Sequence, residues 1–228
     1  MKKIGMVVAL QKEILPLLER VNVKIKTSNV GIFTVVEFSV GDNDVVCVNS
    51  GVGEIKAAAA TQYLITAYKP DIILNFGVCG SLSASLGLKT VVLVKGVVHY
   101  AFDTSEIDCC PPGKYDDYPD VIIDTDKDLL KRAEKIIGGV QTVVCASADK
   151  LVGSVQEKSR IRSEFKADVC DMESAGVLIT ANANGVPVLI VKAVSDGDGG
   201  AADYLTTVNE AARQYIDFLL DFVSQPNN

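Results

Sequence analysis

A chain of 228 residues that is 48% apolar and only 6% aromatic is long enough to bury a substantial core. Its formal net charge of -7 repels phosphate backbones over most of the surface, so duplex nucleic acid is not the expected partner. No apolar run reaches the roughly 18 residues of a membrane span, and Gln11, Lys12 and Glu13 interrupt the first apolar stretch too early for a secretory leader.

From the amino terminus, Ile4 to Leu10 is a continuous apolar run, which predicts a strand buried on both faces. Lys12 to Arg20 carries Ile14, Leu15, Leu17 and Leu18 at helical spacing. Phe33 to Val40 and Val45 to Asn49 are strand-like and meet at the turn Gly41-Asp42-Asn43. Ser50-Gly51-Val52-Gly53 breaks the pattern before an Ala-rich helix from Glu54 to Tyr68. Ile72 to Phe76 is a buried strand, and Gly77-Val78-Cys79-Gly80 is expected to be a turn. Thr90 to Val98 is another strand. The stretch from Ala101 to Pro119, rich in Asp, Pro and Gly, is the longest expected loop.

Lys127 to Ile137 predicts an amphipathic helix, Gln141 to Ala146 a strand and Ser154 to Phe165 a polar helix. A short strand, Ala167 to Cys170, leads into an Ala/Gly-rich helix ending at Asn184. Val186 to Val194 is a buried strand, stopped by Ser195-Asp196-Gly197-Asp198-Gly199-Gly200, and Val208 to Val223 is expected to form one closing helix. Strands alternating with helices predict an α/β fold, one domain over residues 1–228 with helices packed against a sheet.

The six cysteines lack CxxC spacing and three lie in strand-like runs. Buried reduced thiols are the main expectation, which fits a cytoplasmic protein, while the Cys109-Cys110 pair lies in an expected loop where a redox role is the alternative. A single histidine, His99, excludes a His-rich metal site and leaves acid/base chemistry mostly to carboxylates. Glu13, Glu173 and Asp196 each follow a predicted buried strand. In an open α/β sheet ligands bind beyond the carboxyl ends of strands, so these acids are candidates to share a pocket. Each is also an ordinary residue for a helix start or a solvated loop. The arginines Arg20, Arg132, Arg160, Arg162 and Arg213 all avoid the strand-end turns, which favours water over phosphate as a nucleophile.

Taken in order, Ile4-Gly5-Met6 through Ala9-Leu10-Gln11-Lys12-Glu13, Ser50-Gly51-Val52-Gly53-Glu54, Asn75-Phe76-Gly77-Val78-Cys79-Gly80, Asp171-Met172-Glu173-Ser174-Ala175 and Ala193-Val194-Ser195-Asp196 resemble the motifs of the methylthioadenosine/adenosylhomocysteine nucleosidase family. The similarity runs over nearly the whole chain. It implies a nucleoside phosphorylase-like three-layer fold, with a central mixed β-sheet flanked by helices, and a cytoplasmic homodimer that cleaves a purine nucleoside without metal or organic cofactor. It implies Asp196 as the acid that protonates N7 and Glu13 as the carboxylate that activates water. Glu173 and Met172 would hold the ribose. Val52, Val78, Lys150, Leu151 and Ser195 fall at substrate-binding positions, and Ile107 in the loop that a partner subunit lends to the 5′ pocket. An acid acting on N7 must keep its proton near neutral pH, which burial or contact with the purine would favour.

Three positions depart from the family pattern. Lys150 stands where an aromatic side chain packs on adenine, Val78 where a serine is usual, and Ile107 where an aromatic is usual. They open the choice of base and 5′ group. Two rivals follow: a phosphorolytic enzyme of the same superfamily, and a nucleoside-binding module without turnover.

Overall fold

The computed structural model describes residues 2–225. The chain forms β1 (Lys3–Val8), α1 (Gln11–Arg20), β2 (Lys26–Val30), β3 (Phe33–Val40), β4 (Asn43–Asn49), α2 (Glu54–Tyr68), β5 (Ile72–Ser81) and β6 (Val91–His99). There follow α3 (Ser105–Asp108), β7 (Ile123–Asp124), α4 (Lys127–Ile137), β8 (Gln141–Ser147), α5 (Val155–Phe165), β9 (Val169–Asp171), α6 (Ser174–Ala183), β10 (Val188–Asp196), α7 (Ala201–Gln214) and α8 (Ile216–Ser224).

The α/β expectation holds, with a mixed sheet between helical layers. From β5 the sheet runs outward through β1, β4, β3 and β2. Strands β1 and β4 are parallel, as are β1 and β5, so their carboxyl ends lie on one side. On the other flank β5 pairs with both β10 and β9, β9 with β8, β8 with β6, and β6 with β10. That part of the sheet therefore closes into a ring, a feature the linear pattern of apolar runs does not carry. One apolar core lies between the sheet and α1, α7 and α8. A second lies under α2 and α6, where a side chain at Gly176 would collide with the Glu54 carbonyl. Glycine at 176 is what lets the two helices touch.

Several elements differ from expectation. Gly77 to Gly80 is not a turn but the continuation of β5, which runs to Ser81. Glycine inside a strand marks a close approach, and these two glycines face acidic side chains described below. Strand β10 likewise continues through Ser195 and Asp196. The closing helix is two helices, α7 and α8, divided at Tyr215, whose ring is buried against Phe76 and whose hydroxyl donates to the Glu13 carbonyl at 3.4 Å. Strand β2, KTSNV, is a polar edge paired to β3, and β7 is two residues long; neither has the apolar signature of a strand. The long loop contains one short helix, α3.

Candidate active site

A cavity of about 240 Å³ opens at the carboxyl ends of the parallel strands. Glu13, Glu173 and Asp196 all line it, with Val78 and Gly80 of β5, Met172, and Tyr204 of α7.

Glu13 sits in the first turn of α1. One carboxylate oxygen accepts from the Leu10 N–H at 2.8 Å, which satisfies a helix-start donor, and the other accepts from the Val78 N–H at 2.8 Å. A side chain at Gly77 would stand 2.8 Å from the same carboxylate, so glycine there makes room for it. Burial pushes the Glu13 carboxyl up, with partial relief from the Val78 hydrogen bond and the Lys192 ammonium. Such a carboxyl, poised above its ordinary range, can take a proton from water.

Glu173 follows β9 and accepts from the Gly53 N–H at 2.9 Å. Gly53 has φ 108°, a conformation reserved for glycine, and it lies in the turn that opens α2. Burial first, and then the neighbouring Asp171 carboxylate, raise the Glu173 carboxyl to about 7. Behind it, Lys192 Nζ and Asp171 Oδ2 form a buried ion pair at 2.8 Å. Burial alone would discharge the Lys192 ammonium, but the Asp171 and Glu173 carboxylates hold it charged. Asp171 also receives the Ser174 hydroxyl and backbone N–H at the start of α6.

Asp196 ends β10 opposite Gly80, where the strand register shifts past Ser195. That irregularity re-aims the terminal side chain into the cavity. A side chain at Gly80 would lie 2.9 Å from Asp196 Oδ2. Ser195 donates its hydroxyl to Oδ1 at 3.0 Å. Lys158 Nζ of α5 donates to Oδ2 at 2.8 Å, and both side chains are nearly inaccessible. Burial of Asp196 is therefore compensated by a cation, which the amino-acid pattern did not foretell.

Of the remaining expected residues, Val52, Val78, Met172, Leu151 and Ser195 line the cavity. Lys150 does not. Its ammonium pairs with Glu157 at 2.6 Å on the surface, and Leu151, one residue on, presents its side chain instead. Ile107 is 85% exposed on α3 and is not part of this cavity either. Among the described residues no arginine lines the cavity. His99 lies elsewhere, bonded to Glu54 at 2.8 Å and to the Tyr115 hydroxyl at 2.7 Å. The cysteines are free thiols, with Cys47, Cys79, Cys145 and Cys170 buried. No cluster of ligands able to hold a metal ion occurs among the described residues.

A family model described as the phosphorylase superfamily matches residues 3–224. A 5′-methylthioadenosine/S-adenosylhomocysteine nucleosidase of Staphylococcus aureus is 30% identical over 169 residues, which is 71% of this chain and 72% of that one. The chain belongs to this nucleosidase family, within the phosphorylase superfamily. Two solved structures extend the likeness over nearly the whole length. A nucleosidase of the same name from Helicobacter pylori, in complex with butyl-thio-DADMe-Immucillin-A, has a TM-score of 0.92 at 27% identity, covering 98% of each chain. The futalosine hydrolase of the same organism has a TM-score of 0.92 at 25% identity, covering 97% of each.

Two buried lysines of this nucleosidase escaped the sequence reading. Lys192 had a signal: one charge inside the apolar strand Val188–Asp196 needs a buried counter-charge, and Asp171 ends a buried strand. Lys158 had none, because it stands in a helix that reads as polar throughout.

Proposed function

We propose that this cavity hydrolyses the N-ribosidic bond of 5′-methylthioadenosine and S-adenosylhomocysteine, releasing adenine and the ribose product. The broader class follows from the family: the chain is a nucleoside N-ribohydrolase. The observation that carries the proposal is the convergence of three separately positioned carboxylates, Glu13, Glu173 and Asp196, on one largely apolar cavity.

The bond to the base breaks through a cationic, oxocarbenium-like sugar, so two events need help: the purine must leave neutral, and water must attack C1′. Asp196 gives a proton to N7, and the electron pair of the C1′–N9 bond passes into the purine. Glu13 takes a proton from the attacking water. Glu173 accepts hydrogen bonds from the ribose hydroxyls and, when ionised, favours positive charge on the ring, with Met172 packed beside it. Val52, Val78 and Leu151 give apolar contact to the nucleoside, and Ser195 fixes the Asp196 carboxylate. We read residues 1–228 as one such domain, acting in the cytoplasm in methionine salvage. No helix among the described residues is long and apolar enough to cross a membrane. We also propose a homodimer in which Ile107 reaches the partner's 5′ pocket. Its exposure, together with that of Ile55, supports an apolar contact surface.

The deciding experiment is a substrate panel of methylthioadenosine, adenosylhomocysteine, futalosine, adenosine and inosine, with and without phosphate. Turnover is expected without phosphate, with a reducing sugar as product. A ribose 1-phosphate whose formation saturates in phosphate would make the enzyme a phosphorylase, and tight binding with no product would make it a binding module.

Base contact gives a further expectation. Leu151 is 54% exposed in the open cavity, so a bound purine has apolar surface left to cover. Leu151→Ala is expected to raise KM by roughly 5- to 30-fold, the value of about 1–2 kcal/mol of lost apolar burial. Lys150→Ala removes a surface ion pair worth about 0–1 kcal/mol of stability and is expected to leave KM within about two-fold. The reverse ranking of the two variants would return Lys150 to the base site.

A further inference from the structure

Lys158 occupies an unusual position for a lysine. It shares the buried face of α5 with Ile161 and Phe165, at helical spacing. Its ammonium donates to Asp196 Oδ2 at 2.8 Å and to the Gly197 carbonyl at 2.6 Å. Both side chains of the pair are no more than 4% accessible. Taking two charges out of water is costly, and a purely structural contact of this kind is commonly replaced by apolar packing without loss. A buried cation held on an acid that faces a cavity is a candidate for chemistry.

We propose that Lys158 is a positioning residue that acts through Asp196, holding the proton that Asp196 hands to N7 of the purine. This rests on the nucleosidase reading given above. As the C1′–N9 bond breaks and its electron pair moves into the purine ring, Asp196 gives a proton to N7 and receives one from Lys158 Nζ. The lysine is left as a neutral amine. Water adds to C1′, and its proton goes to Glu13. After the products leave, Lys158 recovers a proton from solvent and Glu13 returns one, so the cycle needs no reagent but water.

The pair holds one proton over two groups, which extends the pH range in which N7 can be protonated. The other groups around the pair do not substitute for it. The thiols of Cys79 on β5 and Cys170 on β9 face it, and burial pushes both up, to about 12 for Cys170. Glu13, Asp171, Glu173 and Tyr204 line the same cavity, and Lys192 is taken up by Asp171. The Asp203 carboxylate in the first turn of α7 accepts from the Gly197 and Gly199 N–H groups.

The test compares Lys158→Arg and Lys158→Met with wild type on methylthioadenosine and on 4-nitrophenyl β-D-riboside, whose leaving group departs without a proton. Lys158→Arg keeps the ion pair, but a guanidinium does not release its proton. It is expected to melt like wild type and to lose about 10²-fold in kcat on the nucleoside, with the aryl riboside within about three-fold. Lys158→Met leaves Asp196 to hold the proton alone. Its nucleoside turnover is expected to fall about 10²-fold at about pH 8.5 and to recover most of that loss at about pH 5.5, relative to wild type. Full activity of Lys158→Arg on the nucleoside would overturn the proposal, because a cation would then suffice. Equal losses on both substrates would overturn it too, by making Lys158 a structural residue. If wild type cleaves neither substrate, the nucleosidase reading itself falls, and this inference with it.

Discussion

Asp196→Asn is expected to lose about 10²–10⁴-fold in kcat on methylthioadenosine, the usual worth of a general acid. Asparagine has nearly the same shape and still accepts a hydrogen bond, but it has no proton to give. The buried partner complicates this substitution. Lys158 meets Asp196 at 2.8 Å with both groups sealed from water, so the variant strands an ammonium in the interior. Breaking one side of a buried pair costs about 3–5 kcal/mol. In a domain of this size that lowers the melting temperature by roughly 10 °C. Loss of activity and loss of stability therefore arrive together, and the single variant does not separate them. The double variant Asp196→Asn/Lys158→Met removes the stranded charge. It is expected to regain most of the melting temperature and none of the activity. A double variant that regained turnover along with stability would remove Asp196 from the chemistry and leave it a structural anchor.

How far this site could be read from the amino acids alone follows from the kind of signal each residue leaves. Glu13, Glu173 and Asp196 were legible because each lies at or just beyond the carboxyl end of an apolar run, and the parallel pairing of β1, β4, β5 and β10 brings several of those ends together. Helices α2 and α4 were legible to the residue, since their boundaries carry strong stop and start signals. Gly77 and Gly80 were seen but misread. A glycine that makes room for a carboxylate looks the same in a sequence as one that turns the chain, and only the 2.8 and 2.9 Å approaches to Glu13 and Asp196 tell them apart. The closure of the sheet through β5–β10 and β5–β9 depends on pairings between distant segments, which periodicity does not encode. Lys150 and Leu151 show a finer limit. Family position marked the segment, but one residue of register decides which side chain enters the cavity and which turns to Glu157. Lys158 was illegible because a lysine in a polar helix is ordinary until the fold turns it inward.

The last expectation concerns Glu13. Glu13→Gln should lower kcat by about 10²–10⁴-fold, since an amide cannot take the proton of the attacking water. KM should change little, because the carboxylate acts on the nucleophile more than on the ground-state complex. The local geometry adds a structural cost. Glu13 accepts from two backbone N–H groups, of Leu10 and Val78, one on each oxygen. Glutamine has one oxygen, so its NH₂ must face a donor, and the unmet N–H costs about 1–3 kcal/mol. The pH dependence then distinguishes the two glutamates. Both are raised, Glu13 chiefly by burial and Glu173, to about 7, by burial and the Asp171 carboxylate. A raised value means that each carboxyl keeps its proton to higher pH, so activity is lost as pH falls, for Glu173 through the region near 7, and gained as it rises. In wild type this acid-side loss should appear in both kcat and KM. In Glu13→Gln the kcat dependence should flatten, because the titrating base is gone, while KM should still rise as Glu173 takes up its proton and loses its grip on the ribose hydroxyls. If KM rose as steeply as kcat fell in Glu13→Gln at neutral pH, Glu13 would be a binding residue and the water would need another base.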